Sequence, residues 1–397
     1  QTIHYLLPFI YFETPDNSGN WLVNGGKTNT ADIPSLVSAL LTWERVRSFN
    51  VGFDFGAFSN RLTGSFDYFV RKTVDMVGPA PQLPLVLGIA PAIVNNADMK
   101  SYGFEIELSW RDRIGEVDYG VKFNLADAQQ KVVKYPNTTN AFSDWYAGKM
   151  SGEIWGYTSL GIAKTDEEMK EHLASLPNGG QNQLGNKWGA GDIMYADING
   201  DGKIDGGKGT LADPGDQRII GNSTPRYNFG LVLDASYKGF DVSIFFQGVG
   251  KRDYAPIVGT NGAVFWGAVN NIWQSMAMEE HFDYFRPEGH PMGANLNGYY
   301  PRPDFTSNKN HQVQTRYLQD ASYIRLKNLQ IGYTLPKQWI NKLHINRCRV
   351  YVSGDNLWTG TSLASMFDPE TLAAGDWGSG KTYPLSKVIS FGLNVNF

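Results

Sequence analysis

Nine stretches of this chain alternate apolar and polar residues over roughly 10 to 13 positions each, and a period of two puts every apolar side chain on one face of an extended strand. Phe49, Val51, Phe53 and Phe55 alternate with Ser48, Asn50, Gly52 and Asp54. Tyr102, Phe104, Ile106, Leu108 and Trp110 alternate with Gly103, Glu105, Glu107, Ser109 and Arg111, and Tyr227 to Tyr237 passes through Lys238-Gly239 into Phe240 to Phe246. Tight turns between such runs make hairpins. The pattern predicts strands near 43–57, 60–71, 101–111, 117–127, 226–237, 240–250, 321–335, 346–357 and 387–397. Tyr5 to Phe12 is a candidate tenth, and a change of face at Lys327-Asn328 predicts a bulge.

The connections alternate in length. Segments 72–100, 128–224, 251–320 and 358–386 are long and those between them short. Outer-membrane barrels have short periplasmic turns and long outer loops. That places the final strand, which carries Ile389, Phe391, Leu393, Val395 and Phe397 on one face, with its end in the periplasm. A soluble sandwich also alternates, but its strands run nearer 5 or 6 residues. The longer strands here, with Tyr227 and Tyr237 or Tyr102 and Trp110 near their ends, fit the aromatic girdles of a membrane barrel. The expected fold is all-β, a transmembrane antiparallel barrel.

Composition agrees. Twenty Tyr, 22 Phe and 11 Trp make the chain aromatic-rich, while 44 Gly and 19% charged residues leave it too polar for a helical membrane protein. The apolar runs Ile3 to Phe12 and Leu83 to Val94 fall short of the roughly 20 residues a spanning helix needs. A net charge of −4 offers no basic footprint for nucleic acid, and the one cysteine, Cys348, excludes an internal disulfide. The start, QTIHYLLPFI, shows neither a basic leader nor a small-residue cleavage site, so no signal peptide is expected in this sequence.

One loop carries a ligand-like pattern. Asp197, Asn199, Asp201, Lys203 and Asp205 stand at alternate positions around Gly200 and Gly202. Oxygen ligands at that spacing, with the Lys203 backbone carbonyl among them, would wrap a hard cation such as Ca²⁺. The twelfth position is Lys208 rather than glutamate, so a bidentate acid must come from Asp216 or Asp213. The plainer alternative is a glycine-rich turn whose Asp and Asn side chains satisfy its own backbone. We expect a structural calcium ion stiffening an outer loop.

Other patterns carry less. Gly375 to Thr382 matches the phosphate-loop spacing, but Pro384 follows and a strand comes next, where that motif needs a helix. Thr165-Asp-Glu-Glu168 opens a short acidic helix to Leu176 with capping-box spacing. His172 within it has no partner ligand at i+4, and a core, surface or hydrogen-bonding role is expected rather than a metal site. The sequons at Asn137 and Asn222 mean little outside a eukaryotic secretory setting. Trp145, Trp155, Trp188, Trp266, Trp273 and Trp377 fall in the long loops and are expected to form loop cores. No paired acids or Ser/His pattern marks a catalytic centre.

LTWERVRSFNVGFDFGAFSNRLTGSFDYFVRKT, YGFEIELSW, GDIMYADINGDGKID, GDQRIIGNSTPRYNFGL, ASYIRLKNLQIGYTLP, VYVSGDNLW and ISFGLNVNF lie in order over residues 41 to 397. Together they resemble the C-terminal half of SusC/RagA-type TonB-dependent transporters of Bacteroidota. The resemblance implies a bacterial outer-membrane barrel of about 22 strands around a plug. It also implies a SusD-type surface lipoprotein, energy from TonB, contact with outer-membrane lipid, and an oligosaccharide or peptide substrate. On that reading these nine or ten strands are the last two fifths of the barrel, with the plug and the TonB-contacting segment outside this sequence. Glu105, Glu107 and Arg111 would face the lumen, and Phe397 would be the closing aromatic. A scaffolding barrel that keeps the fold and the lipoprotein but serves a larger outer-membrane complex is the rival expectation.

Overall fold

A computed structural model describes residues 22–23, 26–27, 38, 41–79, 92–256, 263–267, 277–304, 308–341, 344–372 and 383–397. Tyr5 to Phe12, Gly375 to Thr382, Trp273 and Trp377 lie outside the described residues. Nine long strands dominate: β1 (Arg45–Ala57), β2 (Leu62–Val77), β3 (Asn95–Ile114), β4 (Val117–Lys134), β5 (Arg226–Tyr237), β6 (Phe240–Lys251), β7 (Tyr323–Thr334), β8 (Arg347–Thr361) and β9 (Val388–Asn396). They form one sheet in chain order, each strand beside its predecessor. A meander of this kind needs no crossover, and its tight turns set the register.

The turns have the chemistry their geometry needs. Tyr237 pairs with Phe240 across Lys238 and Gly239, whose φ values are 47° and 90°. Two successive positive φ angles match the twist of a two-residue hairpin, and glycine takes the second without a Cβ clash. Between β3 and β4 the first turn residue, Gly115, takes the positive φ alone, at 61°. The expected bulge is present: Leu326 and Asn328 pair on both sides of β7 while Lys327 is skipped. The extra residue turns Lys327 so that its ammonium reaches Glu370 at 3.0 Å.

Several strands run further than alternation indicates. β2 continues to Val77 and β3 begins at Asn95, where the sequence NNADMK has no apolar stripe. Side chains hold the ladder there instead. Asp98 accepts the Asp75 N–H at 3.1 Å, and the Asn95 amide donates to the carbonyls of Thr42 and Asp75 at 2.9 and 2.6 Å.

The described residues divide into two compact units. The smaller takes residues 1–48, 71–100 and 131–149, and the larger takes 49–70, 101–130 and 150–397. In the smaller, Arg45 pairs with Asp75, Trp145 packs edge-on against Tyr135, and Lys149 donates to the carbonyls of Phe142, Ser143 and Asp144 at 2.9, 3.0 and 2.8 Å. The larger contains sections of all nine strands and a core built from three loops. Tyr157, Leu176, Ile193, Tyr195, Ile204, Phe265, Trp266, Tyr300, Tyr317, Leu363 and Phe367 are buried together there. Each fully buried large side chain contributes about 1.5 to 3 kcal/mol, so the loops fold around their own apolar centre.

Candidate functional site

Register decides what each face of the sheet can do. One set of cross-strand rows is apolar: Tyr119, Ala235, Val242, Ile331, Val352 and Phe391 stand in line from β4 to β9, and Val121, Leu233, Ile244, Leu329, Gly354 and Ile389 form the next. Phe391 is 82% exposed and Ile389 66%. Ile331 and Val352 are exposed as well, while the β4 to β6 members are half-buried beside their neighbours, and large apolar side chains exposed together mark a face that meets something other than water.

The alternate residues make a polar face. Gly120, Asp234, Ser243, Gln330, Ser353 and Ser390 form one row, and Asn124, Gly230, Gln247, Arg325 and Thr359 another. An ion pair that spans β7 and hydrogen bonds between neighbours tie the strands on this side. Arg349 holds Asp241 through both nitrogens of one edge and also donates to Gln330 at 2.9 Å, while Asn328 donates to Asp355 at 2.7 Å. A hollow of about 780 Å³ lies here, lined by Asp54, Ser65, Glu107, Arg111, Lys122 and Asn124. A smaller one of about 380 Å³ takes in Glu105 beside Glu107. The three charged residues picked out by alternation, Glu105, Glu107 and Arg111, therefore line hollows of the polar face. Gly64 and Gly230 keep the larger hollow open: a Cβ at Gly64 would fall 2.6 Å from the Phe55 ring and one at Gly230 2.5 Å from Asn124.

The loop body is fastened by a buried charge cluster. Asp192 is fully buried and accepts from Arg302 at 2.8 and 2.6 Å, Lys309 at 3.0 Å, Asn310 at 2.9 Å and the Gly189 N–H at 2.9 Å. Lys309, itself 1% exposed, also donates to the carbonyls of Asn186 and Lys187 and lies over the Trp188 ring. One carboxylate thus joins segments more than a hundred residues apart. Gln181 plays a neutral counterpart: its side-chain oxygen accepts from Tyr195 N at 2.6 Å and meets the His172 ring at 3.1 Å, and its nitrogen donates to the Ile193 carbonyl. His172 is therefore a hydrogen-bonding histidine. It sits on α1 (Asp166–Ala174), whose first turn is capped by Thr165 accepting the Glu168 N–H at 3.1 Å.

Nothing in the sequence singled out Asp192, because its partners come from 302 to 310 and only folding brings them near. Two of the loop tryptophans take the expected core role. Trp266 is fully buried in the loop core, and Trp188 packs against it.

The candidate calcium loop is a closed turn. Asp197 accepts from Gly200 and Gly202 N–H groups at 2.7 and 2.8 Å, Asn199 from Asp201 at 3.0 Å, Asp201 from Lys203 at 3.2 Å and Asp205 from Gly207 at 2.8 Å. Asp216, fully buried, accepts from Ile198 and Asp205 N–H groups, both at 2.8 Å, and burial pushes its carboxyl pKa up. Asp213 donates its backbone N–H to the Thr210 hydroxyl at 3.1 Å and its carboxylate lies beside Gly207, whereas the Asp216 carboxylate accepts directly from N–H groups of the 197–205 loop. The Lys203 ammonium lies 2.5 Å from Asp205 and 3.8 Å from Asp201. It holds the Asp205 carboxyl below the usual carboxylate range, and Asp205 in turn raises Lys203. The donors are oxygen only, which suits a hard cation. Among the described residues, though, no three His, Cys, Asp or Glu side chains converge on a point that would hold one, and an ammonium already stands beside two of the acids.

Comparison with known proteins follows from this geometry. The family model described as TonB dependent receptor-like, beta-barrel matches residues 10–357. TonB-dependent receptor P3 of Formosa agariphila is 28% identical over 95% of this chain and 36% of its own length. TonB-dependent receptor SusC of Bacteroides thetaiotaomicron is 21% identical over 92% of this chain and 33% of its own. Among solved structures, the RagAB peptide transporter superposes with a TM-score of 0.68 at 23% identity, over 95% of this chain and 38% of that one. The chain spans about a third of the length of the curated relatives it matches. These relatives are receptors and transporters rather than enzymes, and the family is one of outer-membrane barrels. The nine-stranded sheet has the TonB-dependent barrel fold, and the chain belongs to the TonB-dependent receptor-like β-barrel family.

Proposed function

We propose that this chain forms part of the wall of an outer-membrane importer, taking up oligosaccharides or peptides with energy from TonB and paired with a SusD-type surface lipoprotein. The observation that carries this reading is the continuous polar face from β4 to β9, backed row by row with apolar side chains that are exposed on β7 to β9 at Ile331, Val352, Phe391 and Ile389. A wall between lipid and a wet lumen needs both faces at once. The short turns at one end of the strands belong to the periplasm, with the C-terminus, and the loop body belongs to the cell surface. Glu105, Glu107 and Arg111 line the lumen, where they meet either substrate or the plug.

The test is mass spectrometry of the native outer-membrane complex, with uptake measured after deletion. Recovery of a plug-bearing polypeptide with a surface lipoprotein, and loss of growth on the transported substrate, is the expected result. Unchanged uptake with defective assembly of other surface proteins would show a scaffolding barrel instead.

We also propose that the Asp197 to Asp216 loop binds Ca²⁺ once Lys203 swings out. Asp197, Asn199, Asp201, the Lys203 carbonyl, Asp205 and Asp216 would be the ligands, and the ion would stiffen the outer loop. Support comes from the oxygen-only donor set at alternate positions and from Asp216, whose carboxylate is tied to the loop's own N–H groups.

A further inference from the structure

At the loop end of the polar face three cations meet two carboxylates. Arg325, buried near the start of β7, donates to Asp368 at 2.9 Å, and Lys327 donates to Glu370 at 3.0 Å. Arg252, just past β6, donates to the carbonyls of Pro369 and Leu372 at 3.4 and 3.0 Å. Both acids belong to the segment that follows β8, whose Phe367 and Leu372 are buried in the loop core. Each cation also has a hold outside that segment. Thr359 on β8 accepts from Arg325 Nε at 2.7 Å, the Ser223 carbonyl accepts from Arg252 Nε at 3.3 Å, and the bulge turns Lys327 to the same side. The cationic seat is therefore preorganised apart from the acids that fill it.

The filling is incomplete. Arg325 Nη1 and Glu370 Oε1 lie 3.5 Å apart and are buried, and among the described residues neither has a hydrogen-bond partner. Arg252 is half-buried with only carbonyls for partners among those residues, so three positive charges face two negative ones. A buried donor without an acceptor and a desolvated charge without its counter-charge both cost free energy, which a better-fitting anion recovers.

We propose that this seat takes the carboxylates of an acidic ligand, and that Asp368 and Glu370 are a built-in competitor which the ligand displaces. The chain's own occupant shows the chemistry: two carboxylates, two residues apart, on an irregular segment, as an acidic oligomer presents its charges. Guanidinium groups suit such a ligand because their forked N–H groups match carboxylate oxygens, and Arg325 Nη1 is the donor that the strap leaves over. Phe367, packed on Tyr254, and Leu372 stay in the core at either end, and the acidic turn between them gives way. Because Arg325 stands in the polar row with Gln247 and Thr359, the ligand lies on the lumen side of the wall. The seat selects, among imported oligomers, those that carry carboxylates.

The inference rests on the importer reading, and the two fail separately. The native complex is extracted in mild detergent, its folding checked by heat-dependent migration on gels. Binding of penta-glutamate and of penta-galacturonate is measured by calorimetry against uncharged penta-glutamine, and amide exchange over 363–372 is followed with and without each probe. The wild type is expected to bind an acidic probe and not the neutral one, with faster exchange over 363–372 in the bound state. Glu370→Gln, which removes a competing charge and keeps its shape, is expected to tighten that binding about tenfold by freeing the seat. Lys327→Gln, on the wall, is expected to weaken it. Preference for penta-glutamate supports a peptide as the source of the carboxylates, and preference for penta-galacturonate supports a sugar acid. Absence of acidic-probe binding in both wild type and Glu370→Gln overturns the proposal. So does binding that neither variant alters, or exchange over 363–372 that a bound probe leaves unchanged. Uptake that survives deletion, with probe binding intact, overturns the importer reading and leaves the seat standing.

Discussion

Asp192 is fully buried, and its removal takes from buried Lys309 the nearer of its two carboxylates, at 3.0 Å against 3.7 Å for Asp304. Breaking one side of such a pair costs about 3 to 5 kcal/mol. Asp192→Ala is therefore expected to loosen the loops, seen as faster amide exchange over 181–195 and 308–321 while the strands stay protected. Lys203 offers the opposite case. Lys203→Met removes the ammonium that neutralises Asp205 and Asp201, so Ca²⁺ affinity measured by calorimetry is expected to rise about tenfold, equivalent to about 1.4 kcal/mol. Unchanged or absent binding would leave the loop as a plain turn. His311 sets the response to acid. It is fully buried against Trp266, with ring centroids 4.5 Å apart, and burial lowers its pKa to about 4. Because the opened loops would bind the proton more readily than the closed body, the closed body keeps its full stability above pH about 6.5, loses it as the pH falls, and by pH about 4 has lost about 3 kcal/mol. Thermal melts of wild type and His311→Phe should diverge only across that window.

Among the elements, β7 and β8 show how pairing irregularities position function. The skipped Lys327 and the irregular partner segment of β8 bring Lys327 to Glu370 and leave buried Arg325 to reach Asp368 at 2.9 Å, so the loop after β8 is pinned to the wall. A change of face in the sequence was enough to foresee the bulge. The loop it captures was not foreseeable, because the capturing residues are more than 40 positions away. The helix α1 is smaller but clearer: Thr165→Ala removes the bond to Glu168 N and is expected to cost about 1 kcal/mol of helix stability, read as increased exchange in the first turn.

At the scale of the molecule the two faces of the sheet must behave differently. Arginine at Val352, on the apolar face, is expected to cost about 2 to 4 kcal/mol of barrel stability if it lies near the bilayer midplane, whereas arginine at the neighbouring Ser353, on the polar face, should leave folding intact. Urea titration of the refolded complex separates the two. That difference, like the strands themselves, was legible from the sequence, because a period of two is a local property: each side chain's face follows from its parity along one strand. The Lys238-Gly239 turn and the apolar final strand were equally readable. The extra length of β2 and β3 was not, since Asn95, Asp98 and Asp75 continue the ladder through side-chain bonds that no apolar pattern records. Nor were the Asp192 cluster or the ammonium at the candidate calcium loop. Alternation along the chain determined that this protein makes a two-faced antiparallel sheet with long loops at one end. Only tertiary structure decided which distant charges meet and which side chains stand side by side, because those depend on the register between strands and on loop closure, where residues far apart in sequence compete for the same few ångströms.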